Sequence, residues 1–371
     1  MIQKIRVLYV APYFTTRRGG ENVLTNEVGA VIRNFKNVEF LVYAVGRGNI
    51  KCSTYRKNIL YLGKSHKNIR FFLDMIKIFV KFKPDIIHSH YVIPSIIMCI
   101  FGKLFRVPCI LHGRAVDINY WPYFKIKSKI LFLITGKLSN TILTVSKRMK
   151  LDCLRFKIPS KKITVIYNGI DSEQFKPINK NFFSRNRSLE LLHIGTISHR
   201  KSQNLIIEAC RILRSKGVNF HLTLIGDGPQ KKEILDLINK YSLEKYVTLL
   251  GTIDHNILQN YMKNSDLLVF PSTTEGLPNA VLESMSMQLP VILTRVDGHI
   301  EISQKEGSVL IEKDNVDQIV NGILDYYDNP KKIEIGGRIN RDFIVNNLSW
   351  DRHGNELYQI YTRIIKNNKM F

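Results

Sequence analysis

The chain has 371 residues, which is enough for two domains, and 44% of them are hydrophobic, which excludes a wholly disordered protein. Residues 1–175 carry a formal charge of +21 and residues 176–371 only +3, so nearly all of the net charge of +24 lies in the first half. A basic half beside a nearly neutral half indicates an anionic partner for the first half alone. Nucleic acid, anionic lipid headgroups and lipid diphosphates are the candidate classes.

Cysteine usage and hydropathy favour a reduced, cytoplasmic protein. The five cysteines are scattered and none forms a Cys-x-x-Cys pair. No signal peptide is expected, because a strand-like segment at 5–11 begins almost at once. The most apolar long window, 92–111, contains Lys103, Arg106 and two prolines, so it predicts a buried helix and a strand rather than a membrane span.

Short β-branched runs alternate with helical patterns along the whole chain, as is typical of parallel α/β sheets. The predicted strands of the first half are 5–11, 38–45, 85–89, 108–112, 141–145 and 163–166. Those of the second half are 190–194, 221–225, 247–250, 267–270, 291–294 and 308–311. We therefore predict two doubly wound Rossmann-like domains, 1–175 and 176–348, with a polar linker near 175–188. Ligands of such sheets bind outside the carboxyl ends of the strands, so we expect both ends to face one cleft.

Three stretches that follow predicted strands could bind a phosphate or act as an acid or base. Gly19 and Gly20 precede a helix and would let backbone N–H groups approach an anion, although a plain mobile loop explains them equally well. His112 ends a strand and could donate to a substrate, although a lone histidine is more often satisfied by packing. Arg200 and Lys201 could stabilise a departing diphosphate, although such a pair is usually a solvated basic loop.

The most informative stretch is 271–283, Pro-Ser-Thr-Thr-Glu-Gly-Leu-Pro-Asn-Ala-Val-Leu-Glu. It places Glu275 in a loop and Glu283 on a helix that begins near Asn279. The first turn of this helix can bind phosphate, and the two carboxylates can accept from sugar and ribose hydroxyls. Taken alone, two acids at this spacing more often belong to an ordinary exposed helix.

Metal and dinucleotide chemistry receive no support from the sequence. There is no Asp-x-Asp, no Cys/His cluster with ligand spacing and no phosphate-binding loop of the Gly-x-x-x-x-Gly-Lys-Ser/Thr type. Gly226 and Gly228 flank an aspartate at a strand end, but the third glycine of a dinucleotide fingerprint is missing. We therefore predict no metal and no cofactor.

Taken together, these stretches resemble glycosyltransferase family 4, whose members are retaining enzymes of the two-domain GT-B fold. The resemblance covers roughly residues 5–365. Its strongest part is 271–283, continued by Ser284, Met285 and the Leu289-Pro290-Val291 run to Gly298 and Glu301. The supporting stretches are Gly19-Gly20-Glu21, Asp85-Ile-Ile-His-Ser-His90, His112-Gly113, Val145-Ser146, Asn168-Gly169-Ile170-Asp171, Phe175, Gly195, Arg200-Lys201, Gly226-Asp-Gly-Pro229, Gly251 and Ser349-Trp350.

The resemblance implies a role for each matching position. Arg200 and Lys201 would hold the nucleotide diphosphate, Glu275 the transferred sugar and Glu283 the ribose. His112 would line the reaction centre, so that the catalytic set is His112, Arg200, Lys201 and Glu275. The other substrate-binding positions would be Gly19, Gly20, Gly195, Thr196, Gly226, Thr252, Ile253, Gly276, Leu277, Pro278, Asn279, Ala280 and Val281. The helix at 349–371 would cross back onto the first domain.

The chain departs from the family pattern at three places. Thr196 stands where many relatives have an arginine, and Arg200 would supply that charge instead. Asp297 replaces a common glycine, and Gln288-Leu289 replaces a usual Gly-x before Pro290. These positions bear on fine donor geometry rather than on the fold.

The resulting hypothesis is metal-independent, retaining transfer of a hexosyl group from a uridine diphosphate sugar to a glycan or polyprenyl-diphosphate-linked acceptor in cell-surface polysaccharide biosynthesis. The basic, aromatic segments 70–83 and 120–129 suggest a peripheral protein at the inner face of the plasma membrane, although 70–83 is equally well explained as a helix packed on the sheet. A catalytically inactive sugar-nucleotide or anionic-polymer binding protein of the same fold is the alternative. Nucleic-acid binding is not expected, since no reader motif accompanies the charge.

Overall fold

The computed structural model describes residues 4–12, 19–45, 53–55, 58–63, 69–114, 118, 122, 125–178 and 182–369. The chain divides into two compact units. Unit 1 comprises Met1–Gly169 together with Trp350–Phe371, and unit 2 comprises Ile170–Ser349. Each unit contains one largely parallel sheet with helices on its faces, so the predicted α/β class with two doubly wound domains is confirmed.

Unit 1 is built on an eight-stranded sheet. Its strands are β1 (Ile5–Pro12), β2 (Val38–Val45), β3 (Ser53–Tyr55), β4 (Asn58–Gly63), β5 (Ile86–His90), β6 (Cys109–His112), β7 (Thr141–Thr144) and β8 (Ile163–Val165). The strand order is β3-β4-β2-β1-β5-β6-β7-β8, and every pairing is parallel except that of β3 with β4. In the described part of unit 1 before Gly169, the helices are α1 (Gly19–Asn34), α2 (Ile69–Lys81), α3 (Val92–Leu104), α4 (Ile126–Leu138) and α5 (Lys147–Arg155).

Unit 2 is built on a six-stranded parallel sheet in the order β11-β10-β9-β12-β13-β14. Its strands are β9 (Leu189–Ile194), β10 (Phe220–Ile225), β11 (Val247–Gly251), β12 (Leu267–Phe270), β13 (Val291–Thr294) and β14 (Ser308–Ile311). Its helices are α6 (Gln203–Ser215), α7 (Lys231–Lys240), α8 (His255–Asn264), α9 (Asn279–Ser286), α10 (Asp297–Ile300), α11 (Val316–Asp328) and α12 (Lys331–Asn347). The last helix of the chain, α13 (Trp350–Lys369), returns to unit 1.

Alternation along β1 explains the two cores of unit 1. Val7 and Tyr9 face one side, where α1 and α13 cover the sheet, whereas Leu8 and Val10 face the other side, under α2 and α3. Because successive strand residues point to opposite faces, a parallel strand that is buried on both sides reads as a continuous apolar run. The close packing of α13 on α1 depends on Gly354, where a Cβ atom would lie 2.9 Å from the backbone of Ala30.

The division between the units falls six residues before the predicted boundary. Phe175 is 2% exposed, and its carbonyl accepts from Ser286 Oγ at 2.8 Å and Arg341 at 3.0 Å, so it packs within unit 2. Ile170 also donates its backbone N–H to Leu348 at 2.8 Å. Residues 170–175 therefore begin the second unit rather than end the first.

The apolar window 92–111 forms α3 and the start of β6, but α3 is buried on one face only, because Ile93, Ile100 and Leu104 are exposed. Among the described residues, no helix combines the length and the apolar character needed to cross a membrane. The cysteines of the described residues, Cys99, Cys109, Cys153 and Cys210, are buried free thiols.

Candidate functional site

An open ionic cluster lies at the carboxyl end of the unit 2 sheet, where β9 and β12 are neighbours. Lys201 and Arg200 follow β9, and Glu275 follows β12. The Nζ atom of Lys201 lies 2.7 Å and a guanidinium nitrogen of Arg200 lies 2.8 Å from the same carboxylate oxygen of Glu275. Three charged residues predicted separately along the sequence are thus brought together.

Backbone contacts fix the geometry of this open cluster. Thr273 donates its N–H to the carbonyl of Arg200 at 2.8 Å, and Arg200 donates to the carbonyl of Thr274 at 3.1 Å. The Nζ atom of Lys201 lies 4.3 Å from the ring centroid of Phe270, the last residue of β12, which is a favourable cation–π distance. The two loops are therefore held to each other as well as to their strands.

The carboxylate of Glu275 is ionised at neutral pH. Burial by itself raises the pKa of Glu275, but Lys201 and Arg200 outweigh burial and hold that pKa below its ordinary value. Burial lowers the pKa of Lys201, and Glu275 opposes that effect. The side chain of Arg200 is 39% exposed, whereas those of Lys201 and Glu275 are 10% and 8% exposed. One cation of the cluster is thus accessible to an incoming anion.

Glycines allow two pairs of segments that follow strands to approach each other beside the cluster. A Cβ atom on Gly226 would lie 2.0 Å from the carbonyl oxygen of Gly195, and the φ of Gly226, +143°, is one that side-chain-bearing residues rarely adopt. A Cβ atom on Gly298 would lie 2.1 Å from the carbonyl oxygen of Gly276. Gly226 and Gly298 therefore have a packing requirement, whereas a Cβ atom on Gly195 would meet its nearest neighbour, Lys201 Cε, at an ordinary 3.4 Å. Thr196, the next residue after Gly195, is exposed.

Helix α9 begins where the sequence predicts, directly after Pro278, which provides no side-chain cap. The first backbone N–H groups of a helix have no partner within it, and they favour anions. Leu277, Pro278 and Val281 are buried, and Asn279 and Ala280 are partly buried. This loop and first turn follow Glu275 directly.

Glu283 lies on α9 and is 8% exposed. Its carboxylate oxygen lies 3.2 Å from the Nε2 atom of His255, the first residue of α8. The turn that precedes α8 carries exposed Thr252 and half-buried Ile253, the two residues that were predicted to flank the base. Sequence reasoning missed His255, because it has no motif of its own.

Two further histidines missed by sequence reasoning lie beneath the open cluster. His193 hydrogen-bonds the Val269 carbonyl at 2.9 Å, and His299 hydrogen-bonds the Thr294 carbonyl at 2.8 Å. Burial lowers the pKa of each to about 4, so both rings are neutral at pH 7. Their locations inside β9 and on α10 could not be related to Glu275 from the sequence alone.

A second ionic cluster, fully enclosed, contains His112 and lies in unit 1. Glu27 on α1 is surrounded by histidines from β5, β6 and α13 and by Arg114. The distances from its carboxylate oxygens are 3.6 Å to His88, 3.3 Å to His90, 3.6 Å to His112, 3.3 Å to His353 and 3.5 Å to Arg114. Glu27 and the three strand histidines are 0% exposed.

Burial dominates the protonation of the enclosed cluster. It lowers the pKa of His90 to about 4 and that of His112 to about 3, so both rings are neutral at pH 7. Burial on its own raises the pKa of Glu27, but the facing rings of His112 and His90 hold that pKa well below its ordinary value. Tyr9 also donates its hydroxyl to Glu27 at 3.0 Å.

The donor atoms of Glu27, His88, His90 and His112 lie within 4.8 Å of one another, a spacing that a metal ion could bridge. Arg114 argues against a metal here. Its guanidinium can only donate, and it lies 3.1 Å from the Nδ1 atom of His90, so the proton of that neutral ring belongs on Nε2, facing Glu27. The set therefore fits a hydrogen-bonded charge cluster better than a metal centre.

This cluster could not be predicted from the sequence, because its members come from four distant segments. Of the residues predicted for the first domain, His112 is fully buried in the cluster, and its Nδ1 atom lies 3.0 Å from the Nε2 atom of His88. Gly19 and Gly20 form the start of α1, whose Glu27 reaches the same cluster. Asp297 begins α10.

Two family models match adjacent parts of the chain. The model described as Glycosyltransferase Family 4 matches residues 18–174, and the model described as Glycosyl transferases group 1 matches residues 175–341. Together they span both units.

Curated relatives are similar over most of their length. The UDP-Gal:alpha-D-GlcNAc-diphosphoundecaprenol alpha-1,3-galactosyltransferase of Escherichia coli is 26% identical over 81% of each chain. The capsular polysaccharide biosynthesis glycosyltransferase CapH of Staphylococcus aureus is 27% identical over 83% of this chain and 87% of its own.

Solved structures show the same fold. Sucrose-phosphate synthase from Thermosynechococcus elongatus superposes with a TM-score of 0.81 at 16% identity, covering 98% of this chain and 100% of that one. HepE from Anabaena, in complex with UDP, superposes with a TM-score of 0.78 at 15% identity, covering 97% and 100%. At these identities the likeness establishes the architecture.

Proposed function

Because the chain belongs to glycosyltransferase family 4, we propose that it transfers a hexosyl group, with retention of configuration, from a uridine diphosphate sugar to a glycan or lipid-linked glycan acceptor. The product would contribute to a cell-surface polysaccharide. The observation that carries the proposal is the open cluster of Arg200, Lys201 and Glu275 beside the first turn of α9.

The open cluster suits a diphosphate leaving group. Two cations and one carboxylate leave a net positive charge at the carboxyl end of the sheet, and exposed Arg200 can turn toward an incoming phosphate. Charge that develops on the departing diphosphate is stabilised by fixed cations and by the N-terminus of α9. The dipole of a helix contributes about 0.3–1 kcal/mol, so the cations must supply most of the stabilisation.

Glu275 would hold the transferred sugar rather than attack it. Its ionised oxygens accept hydrogen bonds from sugar hydroxyls, and its two cationic neighbours fix its orientation. We assign no carboxylate as a covalent nucleophile. Retention would then follow from attack on the same face that the diphosphate leaves, with the diphosphate assisting.

Glu283 would accept from both ribose hydroxyls, and the turn at Thr252 and Ile253 would flank the base. His112, being enclosed and neutral, suits a positioning role at the end of β6 better than direct proton transfer. Gly19 and Gly20 would admit donor phosphate or acceptor to the start of α1.

Relatives support the choice of donor and acceptor. The Escherichia coli relative is named for a UDP sugar donor and a diphosphoundecaprenol-linked acceptor. HepE has been solved with UDP-glucose. We therefore choose UDP sugars as the first donors and polyprenyl-diphosphate-linked sugars as the first acceptors to test.

Binding to an anionic membrane at the inner face of the plasma membrane is part of the proposal. On α2, Phe71 and Met75 pack in the core, whereas Phe72 and Ile76 are exposed, so the helix has both a packed face and an apolar outer face. Further exposed apolar side chains on α2, α3 and α4 are Leu73, Val80, Ile93, Ile100, Leu104, Ile126, Ile130 and Ile134. Each lysine close to an anionic membrane surface contributes on the order of 1 kcal/mol to the free energy of binding. Residues 120, 121, 123 and 124 of the predicted aromatic segment 120–129 lie outside the described residues.

Flotation with vesicles tests the membrane part of the proposal. Vesicles containing phosphatidylglycerol should carry the protein upward, and Ile76→Glu should reduce that fraction severalfold. Leu235→Glu, on an exposed apolar position of unit 2, serves as the matched control. Protein that stays in the pellet with anionic vesicles would remove this part of the proposal.

The transfer itself is tested by incubating the purified protein with UDP sugars and lipid-linked acceptors. Mass spectrometry should detect a mass gain of one hexose, and NMR should show the anomeric configuration of the donor in the product. EDTA should leave the rate within about twofold, because the charge on the leaving group is met by cationic side chains. Activity abolished by EDTA and restored by Mn²⁺ would contradict the metal-independent mechanism.

A further inference from the structure

We propose that His255 is a positioning residue that orients Glu283 for the two hydroxyls of the donor's ribose. The inference rests on the proposed function, because it takes Glu283 as the ribose-binding carboxylate. It adds a residue to that site which belongs to a different helix and which no motif indicates.

The geometry of the pair supports the inference. The Nε2 atom of His255 lies 3.2 Å from a carboxylate oxygen of Glu283, and the two side chains are 16% and 10% exposed. A carboxylate offers about four acceptor positions on its two oxygens. The imidazole occupies one of them, so the remaining positions can accept from both ribose hydroxyls without displacing the ring.

The imidazole of His255 is held in place by Phe175 as well as by Glu283. The ring of Phe175 meets it edge to face, with centroids 5.5 Å apart and an interplanar angle of 76°. Phe175 is tied to α9 through its carbonyl, which accepts from Ser286 Oγ at 2.8 Å. Arg341 on α12 donates to the same carbonyl at 3.0 Å. His255 and Glu283 are therefore fixed against one frame.

The protonation of His255 also helps to hold Glu283 in one orientation. The hydrogen bond that His255 donates to Glu283 raises the pKa of His255, against the opposing effect of burial, and Asp254 adds to the rise. A raised pKa keeps more of the imidazole protonated, and the charged N–H donates a stronger hydrogen bond to a carboxylate than a neutral one does. Glu283 is thereby held in one orientation before the nucleotide arrives, which spares the cost of ordering it on binding.

The test compares UDP with 2′-deoxy-UDP, titrated calorimetrically into the wild-type chain and into His255→Ala. The wild type should prefer UDP. In His255→Ala the affinity for UDP should fall about three- to tenfold, while that for 2′-deoxy-UDP should fall less, so that the preference shrinks. In the transfer assay the variant should raise the KM for the donor and leave kcat within about twofold.

Two variants serve as controls. His221→Ala removes a histidine of the same unit that contacts Thr248 Oγ1 at 2.9 Å near the opposite end of the strands, and it should leave both affinities unchanged. His255→Gln places an amide donor near the position of Nε2 and should restore most of the preference for UDP. Thermal melting of each variant shows whether unit 2 remains folded.

Each outcome decides between the hypotheses. A wild type that binds UDP with a ribose preference that His255→Ala does not change would overturn the inference and leave the proposed function standing. Equal weakening of UDP and 2′-deoxy-UDP would also overturn it, because it would show a purely structural role. A wild type that binds no nucleoside diphosphate would overturn the proposed function and the inference together.

Discussion

The two ionic clusters are built from similar groups but differ in access to solvent. Glu27 in unit 1 is 0% exposed, and its cationic partner Arg114 has a side chain that is 14% exposed. Glu275 in unit 2 is 8% exposed, and its partner Arg200 is 39% exposed. The enclosed cluster satisfies its acid with protein donors, whereas the open cluster can share its cations with a ligand.

This difference in exposure indicates that the enclosed cluster stabilises the fold and that the open cluster is available to bind a ligand. A buried charge is costly unless it is paired, so removing one member of an enclosed cluster leaves the others uncompensated. A cluster at the carboxyl end of a sheet can exchange one partner for an incoming anion, because its exposed cation remains solvated until the anion arrives. We expect substitutions in the first cluster to change folding and those in the second to change turnover.

The largest expected effect is that of Glu27→Gln on folding. Loss of the acid leaves the largely buried cation Arg114 without its counter-charge and removes the acceptor that faces the neutral histidine rings, and should lower the free energy of unfolding by about 3–5 kcal/mol. Both tryptophans of the chain, Trp121 and Trp350, belong to unit 1, so denaturation followed by tryptophan fluorescence reports on this unit.

The control for Glu27 is Glu39→Gln, which removes a surface pair with Lys4 at 2.7 Å and should cost less than about 1 kcal/mol. Equal losses for the two variants would show that the enclosed cluster does not stabilise unit 1 in the manner inferred.

The next effect is that of Glu275→Gln on catalysis. Because it removes the charge that holds the sugar and orders both cations, kcat/KM should fall by about 10²- to 10³-fold in the transfer assay. Glu312→Gln breaks an exposed pair of unit 2, with Arg295 at 2.9 Å, and should leave the rate unchanged. Turnover of Glu275→Gln within threefold of the wild type would separate this carboxylate from the reaction.

Acid should destabilise unit 1 in a defined pH range. Buried His90 and His112 have pKa values of about 4 and 3, whereas unfolded histidine has about 6.5, so between these values the unfolded chain binds more protons. The stability that these groups contribute is complete above pH 6.5 and is lost as the pH falls toward 4. Each such histidine contributes a slope of about 1.4 kcal/mol per pH unit.

The fluorescence transition of unit 1 measures this dependence through chemical denaturation between pH 7.5 and 5. His90→Gln should reduce the slope, because one buried group no longer titrates, whereas His221→Gln should leave it unchanged. A slope that is the same in the wild type and in His90→Gln would contradict the assignment of neutral buried rings.

The strands could be predicted well, because a parallel strand that is buried on both faces carries an unbroken apolar run. The ends of all twelve predicted strands lie within two residues of those observed. The two strands that were missed, β3 and β4, form a short antiparallel pair at the sheet edge. Ser53–Tyr55 is too short and too polar to give an apolar run, so the sequence offered no signal for it.

The site was predictable only where its residues follow strands in order. Arg200, Lys201 and Glu275 each lie in the segment that connects a strand to the next α-helix, and neighbouring parallel strands bring such segments together. Glu27 belongs to the polar run Thr25-Asn26-Glu27, and a charged residue among polar neighbours is ordinarily expected to be exposed. It is buried because α13, more than 300 residues further along the chain, covers α1 and supplies His353. Long-range packing of this kind leaves no local pattern.

The smallest expected effect distinguishes the two cations of the open cluster by their response to salt. Arg200→Gln should weaken UDP binding about tenfold at 50 mM salt and only about threefold at 500 mM, because the field of an exposed cation is screened within a few ångströms at high ionic strength. Lys201→Gln should weaken binding similarly at both concentrations, because its side chain is only 10% exposed. Isothermal titration at the two concentrations measures both ratios. Arg211→Gln, which breaks an exposed pair with Glu208, is the control and should change neither. Identical salt responses for Arg200 and Lys201 would mean that the two cations meet the diphosphate in the same environment, and that the open cluster is more enclosed in the bound state than its exposed guanidinium suggests.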